Sequence, residues 1–486
     1  MKKWIPLLFL LPAQQLVAQG YQKIVYPYVA KDSAVTVISK RYQPKSFLHK
    51  VIMGKNYRNT WSTAIQLPIF RLTGSGFTVE KLGGGQQTKS LRLRDKEGRE
   101  WALRTVDKEV SGALPKSLNN TIVEKVVQDM ISASHPYSHI IVGNLSKAAG
   151  IIAAMPVMFL VADDPALGEY RSIFANTVCT LEEREPTPDR SSTEDTEEFL
   201  KKLNAENDHL VAQKRLLQAR LMDMLVGDWD RHEGQVSWAS FDSANTKVYY
   251  VIPRDRDNAL FYSGGLVPRF ARLTFMKHIS GFKKSASNIK KLSKKAWEFD
   301  RMFLNELDAN SWQQIIKEFQ TKISDSVIVA SVQTLPPAVY ELDGEKMIKK
   351  LKNRRDGLLE YGMKYYEFIS STVTINGSNE EEIFMATTKG NKLNVTMYRK
   401  SSQGPQKIYE RSFNRSETNF VHLDGLGGND QFIIDGTADS KIKLKLYGNG
   451  GKDLYDIKGN TKSEIFDTKS ESNVVVNNSS ARINFK

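Results

Sequence analysis

The chain has 486 residues and a single cysteine, Cys179. One cysteine cannot close an internal disulfide, so stability must come from packing rather than from covalent staples. Cys179 reads as a small buried hydrophobe. Histidine is scarce too, with seven in all. No His-Glu-x-x-His motif and no cysteine ligand set is present, which removes the common zinc-enzyme patterns. A two-metal phosphoesterase built on His232, Asp228, Asp230, Asp255 and Asp257 is a remaining hydrolase option, but no second histidine cluster lies near these acids in the sequence. A Gly-x-Ser-x-Gly nucleophile elbow is also lacking. Beyond the first twenty residues no apolar run is long enough to span a bilayer as a helix.

What is present begins with an export signal. Met1-Lys2-Lys3 precedes the apolar run Trp4–Ala13, with a cut expected after Ala18. The net charge is +14, and from Arg269 to Lys295 there are nine Lys or Arg and no acid. Such a run is either a solvated helical face or a surface for a polyanion: phospholipid headgroups, an acidic glycan or an acidic substrate. Nucleic acid is not expected as a partner of an exported protein. Few aromatics interleave with these lysines, which also argues against it.

Four regions follow: the leader 1–18, an N-terminal lobe 19–155, a mainly helical lobe 156–370 and a β-rich region 371–486. In the N-terminal lobe Gly83-Gly84-Gly85 opens a flexible loop that runs to Thr88. Leu91, Leu93, Trp101 and Leu103 then alternate with polar residues around Asp95-Lys96-Glu97-Gly98, which predicts a hairpin. Ile122, Val126, Val127, Met130 and Ile131 recur at helical spacing. One long helix is expected from Thr196 to Val226, stopped by Gly227. Beyond residue 371, Gly425-Leu426-Gly427-Gly428-Asn429-Asp430-Gln431-Phe432 is echoed 23 residues later by Gly448-Asn449-Gly450-Gly451-Lys452-Asp453-Leu454-Tyr455, which predicts stacked β-units. Their Gly-Asp turns make calcium a candidate ion, with plain glycine turns as the alternative.

The chemistry concentrates in two short segments, Gly227-Asp228-Trp229-Asp230-Arg231-His232-Glu233-Gly234-Gln235 and Pro253-Arg254-Asp255-Arg256-Asp257-Asn258. Phosphoryl transfer needs a carboxylate to orient the attacking hydroxyl, and an amide and a second carboxylate to hold a metal on the phosphates. Asp230 is the candidate base, in a cluster with Asp228 and His232. Asp257 is the main metal ligand, supported by Asp255 and Gln235. Gly83, Gly84 and Gly85, with Lys89, form the candidate phosphate loop. Arg104 on the second hairpin strand supplies a cation, with Glu124 as its partner. The order of these parts predicts an α+β fold: a bilobal protein-kinase-like domain followed by a small all-β domain.

The Gly-Asp-Trp-Asp-Arg-His segment and the later Asp-x-Asp resemble the catalytic and metal loops of atypical kinases of the HipA and CotH types. That resemblance implies Asp230 as base and Mg²⁺ or Mn²⁺ with ATP or another nucleotide. Gln235 stands where those families have Asn, and Arg104 where a Lys is usual. Asn56–Thr63, Gly83–Leu91, His135-Pro136-Tyr137 and Gly425–Asp430 also resemble a module of Bacteroidetes envelope proteins, often found between a calcineurin-like phosphoesterase and a BamA/TamA-type barrel. This second resemblance implies a periplasmic or outer-membrane-associated setting, with an outer-membrane protein, lipid or glycan as partner. The expectation is therefore a metal-dependent kinase-like phosphotransferase of unknown acceptor. The alternative is a catalytically inactive kinase-like scaffold.

Overall fold

The computed structural model describes residues 28–485 except 44, 86, 190, 244, 275–278, 280, 287, 403, 438–440 and 470. The leader lies outside the described residues. The chain forms two compact units, each assembled from separated stretches. The first comprises residues up to 193 together with 255–275 and 328–348. The second comprises 194–254, 276–327 and 349–486.

The first unit is built on seven strands: β1 (Ser33–Thr36), β2 (Ile65–Phe70), β3 (Thr78–Gly83), β4 (Ser90–Arg94), β5 (Glu100–Thr105), β6 (Val157–Val161) and β7 (Val178–Glu183). Their order is β1-β2-β6-β7-β5-β4-β3. The boundary expected at residue 155 therefore falls inside one sheet, because β7 pairs antiparallel with both β5 and β6. The β4–β5 hairpin forms where the alternation placed it. Its turn is fixed by Asp95, whose carboxylate accepts the Glu97 and Arg99 amides at 2.9 Å and the Trp101 indole N–H at 2.9 Å. Gly98 supplies the φ of 82° that the turn requires. Leu91, Leu93, Trp101 and Leu103 are fully buried beneath it.

In the second unit the expected long helix is two helices, Thr196–Ala205 and Gln213–Val226. Between them β8 (His209–Val211) pairs parallel with β10 (Thr246–Pro253), whose other neighbour is β9 (Val236–Ser243). A three-residue ladder overrides helical periodicity here, because pairing with β10 satisfies backbone groups that a continuous helix would have used locally. Gly227 does stop the second helix, as a left-handed cap at φ 71°.

From Thr372 onward the chain is a β-solenoid. After β11 (Thr372–Asn376) and β12 (Glu382–Lys389), a hairpin of β13 (Lys392–Arg399) and β14 (Gln406–Asn414) extends one sheet. Then β15 (Phe420–Asp424), β16 (Gln431–Thr437), β17 (Lys443–Tyr447), β18 (Leu454–Ile457), β19 (Ser463–Asp467), β20 (Val474–Asn478) and β21 (Ala481–Phe485) alternate between two sheets. Neighbouring coils pair in parallel: Phe384 faces Phe432, and Phe432 faces Tyr455 at the 23-residue offset. Their rings stack 4.9 and 5.1 Å apart. At one corner Glu382, Asp430, Asp453 and Asn473 occupy equivalent rungs. Asp430 Oδ1 accepts the Glu382 amide at 2.8 Å, Asp453 Oδ1 accepts the Asp430 amide at 2.9 Å, and Asn473 Oδ1 accepts the Asp453 amide at 2.8 Å. The acids expected as calcium candidates are thus rungs of a buried ladder that satisfies backbone amides.

The glycines beside this ladder allow coil to lie on coil. A Cβ on Gly451, at φ +113°, would sit 1.5 Å from the Gly428 carbonyl oxygen. Gly451→Ala is expected to cost about 3 kcal/mol or more, because backbone rather than a flexible side chain must yield. Urea unfolding followed by circular dichroism checks this, and a loss under about 1 kcal/mol would refute the stacking argument.

Candidate functional site

The first unit carries a compact charged cluster. Arg104 on β5 and Glu182 on β7 project from the same face of adjacent strands, one diagonal step apart, because Arg104 is directly opposite Thr180. The Arg104 Nε donates to Glu182 at 2.7 Å. Glu182's charge, with those of Asp255 and Asp257, holds the guanidinium above its ordinary pKa against the opposing effect of burial. Four residues beyond Arg104 the chain leaves the sheet, and the Lys108 ammonium donates to Asp257. The Lys108 side chain is 9 % exposed and Asp257 24 %. Backbone contacts pin Lys108: its carbonyl accepts the Gln128 amide at 2.7 Å, and its own amide donates to Asp107 at 2.8 Å.

Asp255 and Asp257 act on each other. The neighbouring Asp257 charge, with crowding by the surrounding protein, pushes the Asp255 carboxyl up to about 7, although the residue itself reaches solvent. Burial opposes ionisation of Asp257, but the charge and hydrogen bond of Lys108 outweigh it and hold that carboxyl below its usual range. The pair is therefore one firm carboxylate and one carboxyl poised near neutrality. Asp255 sits at φ 50°, a left-handed backbone that costs a non-glycine residue about 1–2 kcal/mol. Asn258 donates to Asp257 at 2.9 Å. Burial lowers the nearby His139 imidazole to about 4, so it is neutral at physiological pH.

Other expected residues have different placements. Glu124 does not partner Arg104. It caps its own helix (Ile122–Met130), accepting the Asn120 amide while Thr121 accepts the Glu124 amide at 3.4 Å. That is a local bond, available before any tertiary contact forms. Gly83 ends β3, and Gly84 turns the chain at φ 110°, where a Cβ would meet the Thr88 carbonyl at 2.3 Å. Gly85 is exposed, as is Lys89, whose backbone pairs with Thr105.

The second unit holds the Asp-Arg-His segment, directly after the Gly227 cap. Asp228 is buried and lies 3.6 Å from the Arg231 guanidinium, which donates to the Arg254 carbonyl at 2.6 Å and to the Gln235 carbonyl. Asp230 accepts from Lys295, whose ammonium also lies 5.6 Å from the Trp229 ring centre. His232 Nδ1 accepts the Gly234 amide at 3.1 Å, closing a short turn before β9. The Gln235 backbone bonds Arg254 at 2.9 Å.

Lys108, Glu182 and His139 were not singled out in the sequence. Only Lys108 left a signal: it is the next cation after Arg104. A two-carboxylate set with nearby cations fits Mg²⁺, which takes one or two protein carboxylates and completes its shell with phosphate oxygens and water. Among the described residues, three ligands converge only at Glu206, Asp208 and His209, a partly exposed surface group.

No family model and no curated protein matches the chain by sequence. Among solved structures, the chain is similar to the Helicobacter pylori proinflammatory kinase CtkA, at 13% identity over 61% of this chain and 99% of that one, with a TM-score of 0.34. It is also similar to the Rio2 kinase of Chaetomium thermophilum in its ADP/Mg²⁺-phosphoaspartate complex, at 11% identity over 58% and 71%, with a TM-score of 0.28. Superpositions this loose leave the functional reading to the site geometry.

Proposed function

We propose that the chain is a kinase-like, metal-dependent phosphotransferase of the bacterial envelope. The observation that carries this reading is the interacting Asp255–Asp257 pair, with Lys108 on Asp257 and Arg104 and Glu182 beside it. Two crowded carboxylates are relieved by a divalent cation, and two fixed cations suit phosphate oxygens. Asp257 and Asp255 would hold Mg²⁺ or Mn²⁺, which would neutralise charge on a nucleotide's phosphates. Lys108, rather than Arg104 alone, would neutralise charge as the metal ligands ionise. Asp230 is proposed as the group that orients the acceptor hydroxyl, on the strength of its sequence pattern.

Isothermal titration calorimetry of ATP with the chain in Mg²⁺ tests this. Metal-dependent binding is expected, weakened about tenfold or more by Asp257→Asn and by Lys108→Met. A folded parent protein that binds no nucleotide with either Mg²⁺ or Mn²⁺ would rule the reading out. The second reading, an inactive scaffold, draws on a specific observation as well. Asp257, Asp230 and Asp228 each already have a cation of the protein, in Lys108, Lys295 and Arg231.

A further inference from the structure

Two adjacent helices of the first unit, Phe47–Met53 and Leu266–Thr274, expose apolar side chains that a water-facing surface does not need. On the first, Phe47 is 82 % exposed, Leu48 65 % and Val51 40 %. On the second, Leu266, Phe270 and Leu273 are 61–66 % exposed at positions i, i+4 and i+7, one face of the helix. The helices are joined tightly at one end. A Cβ on Gly265 would lie 2.4 Å from the Gly54 amide nitrogen, and the Gly264 amide donates to Asn56 at 3.0 Å. Neither stripe is a loose tail, so each is a fixed feature of the surface.

Along the sequence the charges flanking them have one sign. Residues 33–79 and 258–297 contain no Asp or Glu. Lys45, Lys55 and Arg269 are exposed on or beside these helices. Asp129, which approaches His49 at 3.4 Å, is only 12 % exposed and is turned onto the buried Arg58 guanidinium. Tyr262, 43 % exposed just before the second helix, adds an amphipathic ring of the kind that settles at headgroup depth. Apolar Phe and Leu whose charged sequence neighbours are Lys and Arg is the composition of a helix lying in a membrane interface. Basic residues at that depth draw anionic headgroups. No helix among the described residues is long and apolar enough to cross a bilayer, so such an attachment would be peripheral.

We infer that this double-helix face docks on an anionic lipid surface, with Phe47, Leu48, Phe270 and Leu273 entering the headgroup layer. Co-sedimentation of the full chain with phosphatidylglycerol-containing vesicles, beside pure phosphatidylcholine vesicles, tests it. The parent should bind the anionic vesicles, more weakly in high salt. Leu266→Ser/Phe270→Ser/Leu273→Ser should bind about tenfold or more weakly while keeping the parent circular dichroism spectrum. These side chains are exposed, so the variant is expected to fold. A second variant, Phe47→Ser/Leu48→Ser, should show the same loss. Undiminished vesicle binding by both variants would overturn the inference and place lipid contact elsewhere on the basic surface. A parent that ignores vesicles but forms a dimer abolished by the triple variant would overturn it in favour of a second copy of this chain.

Discussion

Asp300→Ala is expected to destabilise the helical part of the second unit by about 3–5 kcal/mol, a large share of the roughly 5–15 kcal/mol that holds a domain together. Asp300, on helix Trp297–Phe303, is fully buried. It accepts from Arg220 Nε at 2.5 Å and from the Tyr365 hydroxyl at 2.7 Å. Arg220 lies in helix Gln213–Val226 and Tyr365 in helix Leu358–Ser370, so one carboxylate ties three helices. Without it, Arg220 retains Asp223 at 2.9 Å and the Phe299 ring at 5.4 Å, but its Nε and the Tyr365 phenol lose their acceptor inside the core. The penalty comes from leaving a buried charge under-compensated, more than from the pair itself being strong. The double variant Arg220→Met/Asp300→Leu removes both charges and should recover part of the loss, with Asp223 left to the Arg231 guanidinium at 3.9 Å. Urea denaturation of parent, single and double variants measures this. A single variant within about 1 kcal/mol of the parent would show that the network is dispensable.

The parts of the fold that were legible in the sequence are those whose signals are local. The β4–β5 hairpin announced itself through alternation on both sides of Asp95-Lys96-Glu97-Gly98, and every bond that shapes its turn lies within six residues. The solenoid announced itself through a repeat, because each coil must present the same glycine, acid and aromatic to its neighbour. What was not legible is set by pairing between distant segments. The interruption of the expected Thr196–Val226 helix depends on β10, nearly forty residues downstream of β8. Arg104 finds Glu182 because β7 returns beside β5, whereas the acid expected from spacing, Glu124, had a nearer use as a cap. Lys108 lies just outside the regular strand pattern, so nothing in periodicity singled it out.

The solenoid is expected to lose stability as pH rises from about 4 toward 9, and Asp430→Asn should flatten that loss. Asp430 and Asp453 are essentially inaccessible to solvent. Burial, with the charges of Glu382 and Asp453, pushes the Asp430 carboxyl up to about 9. Burial, with the charge of Asp467, pushes Asp453 up to about 7. Both exceed the ordinary value of 3.8, so the folded state keeps protons that the unfolded chain releases. Stability is therefore fully present below pH 3.8 and falls until pH passes each folded value, by up to about 1.4 kcal/mol per pH unit per group. Among the described residues Asp430 Oδ2 has no hydrogen-bond partner, so the ladder itself needs only Oδ1. Asparagine keeps that oxygen and cannot ionise, and Asn473 already occupies the equivalent rung of the last coil. The Asp430→Asn protein should accordingly be more stable than the parent at pH 8 and nearly equal to it at pH 4, as measured by thermal unfolding across that range. A calcium ion held by these acids would reverse the outcome: the asparagine variant would be the weaker one at pH 8, and added calcium would raise the parent's Tm. Either of those results would replace the proton with a metal as the means by which this column of buried acids is neutralised.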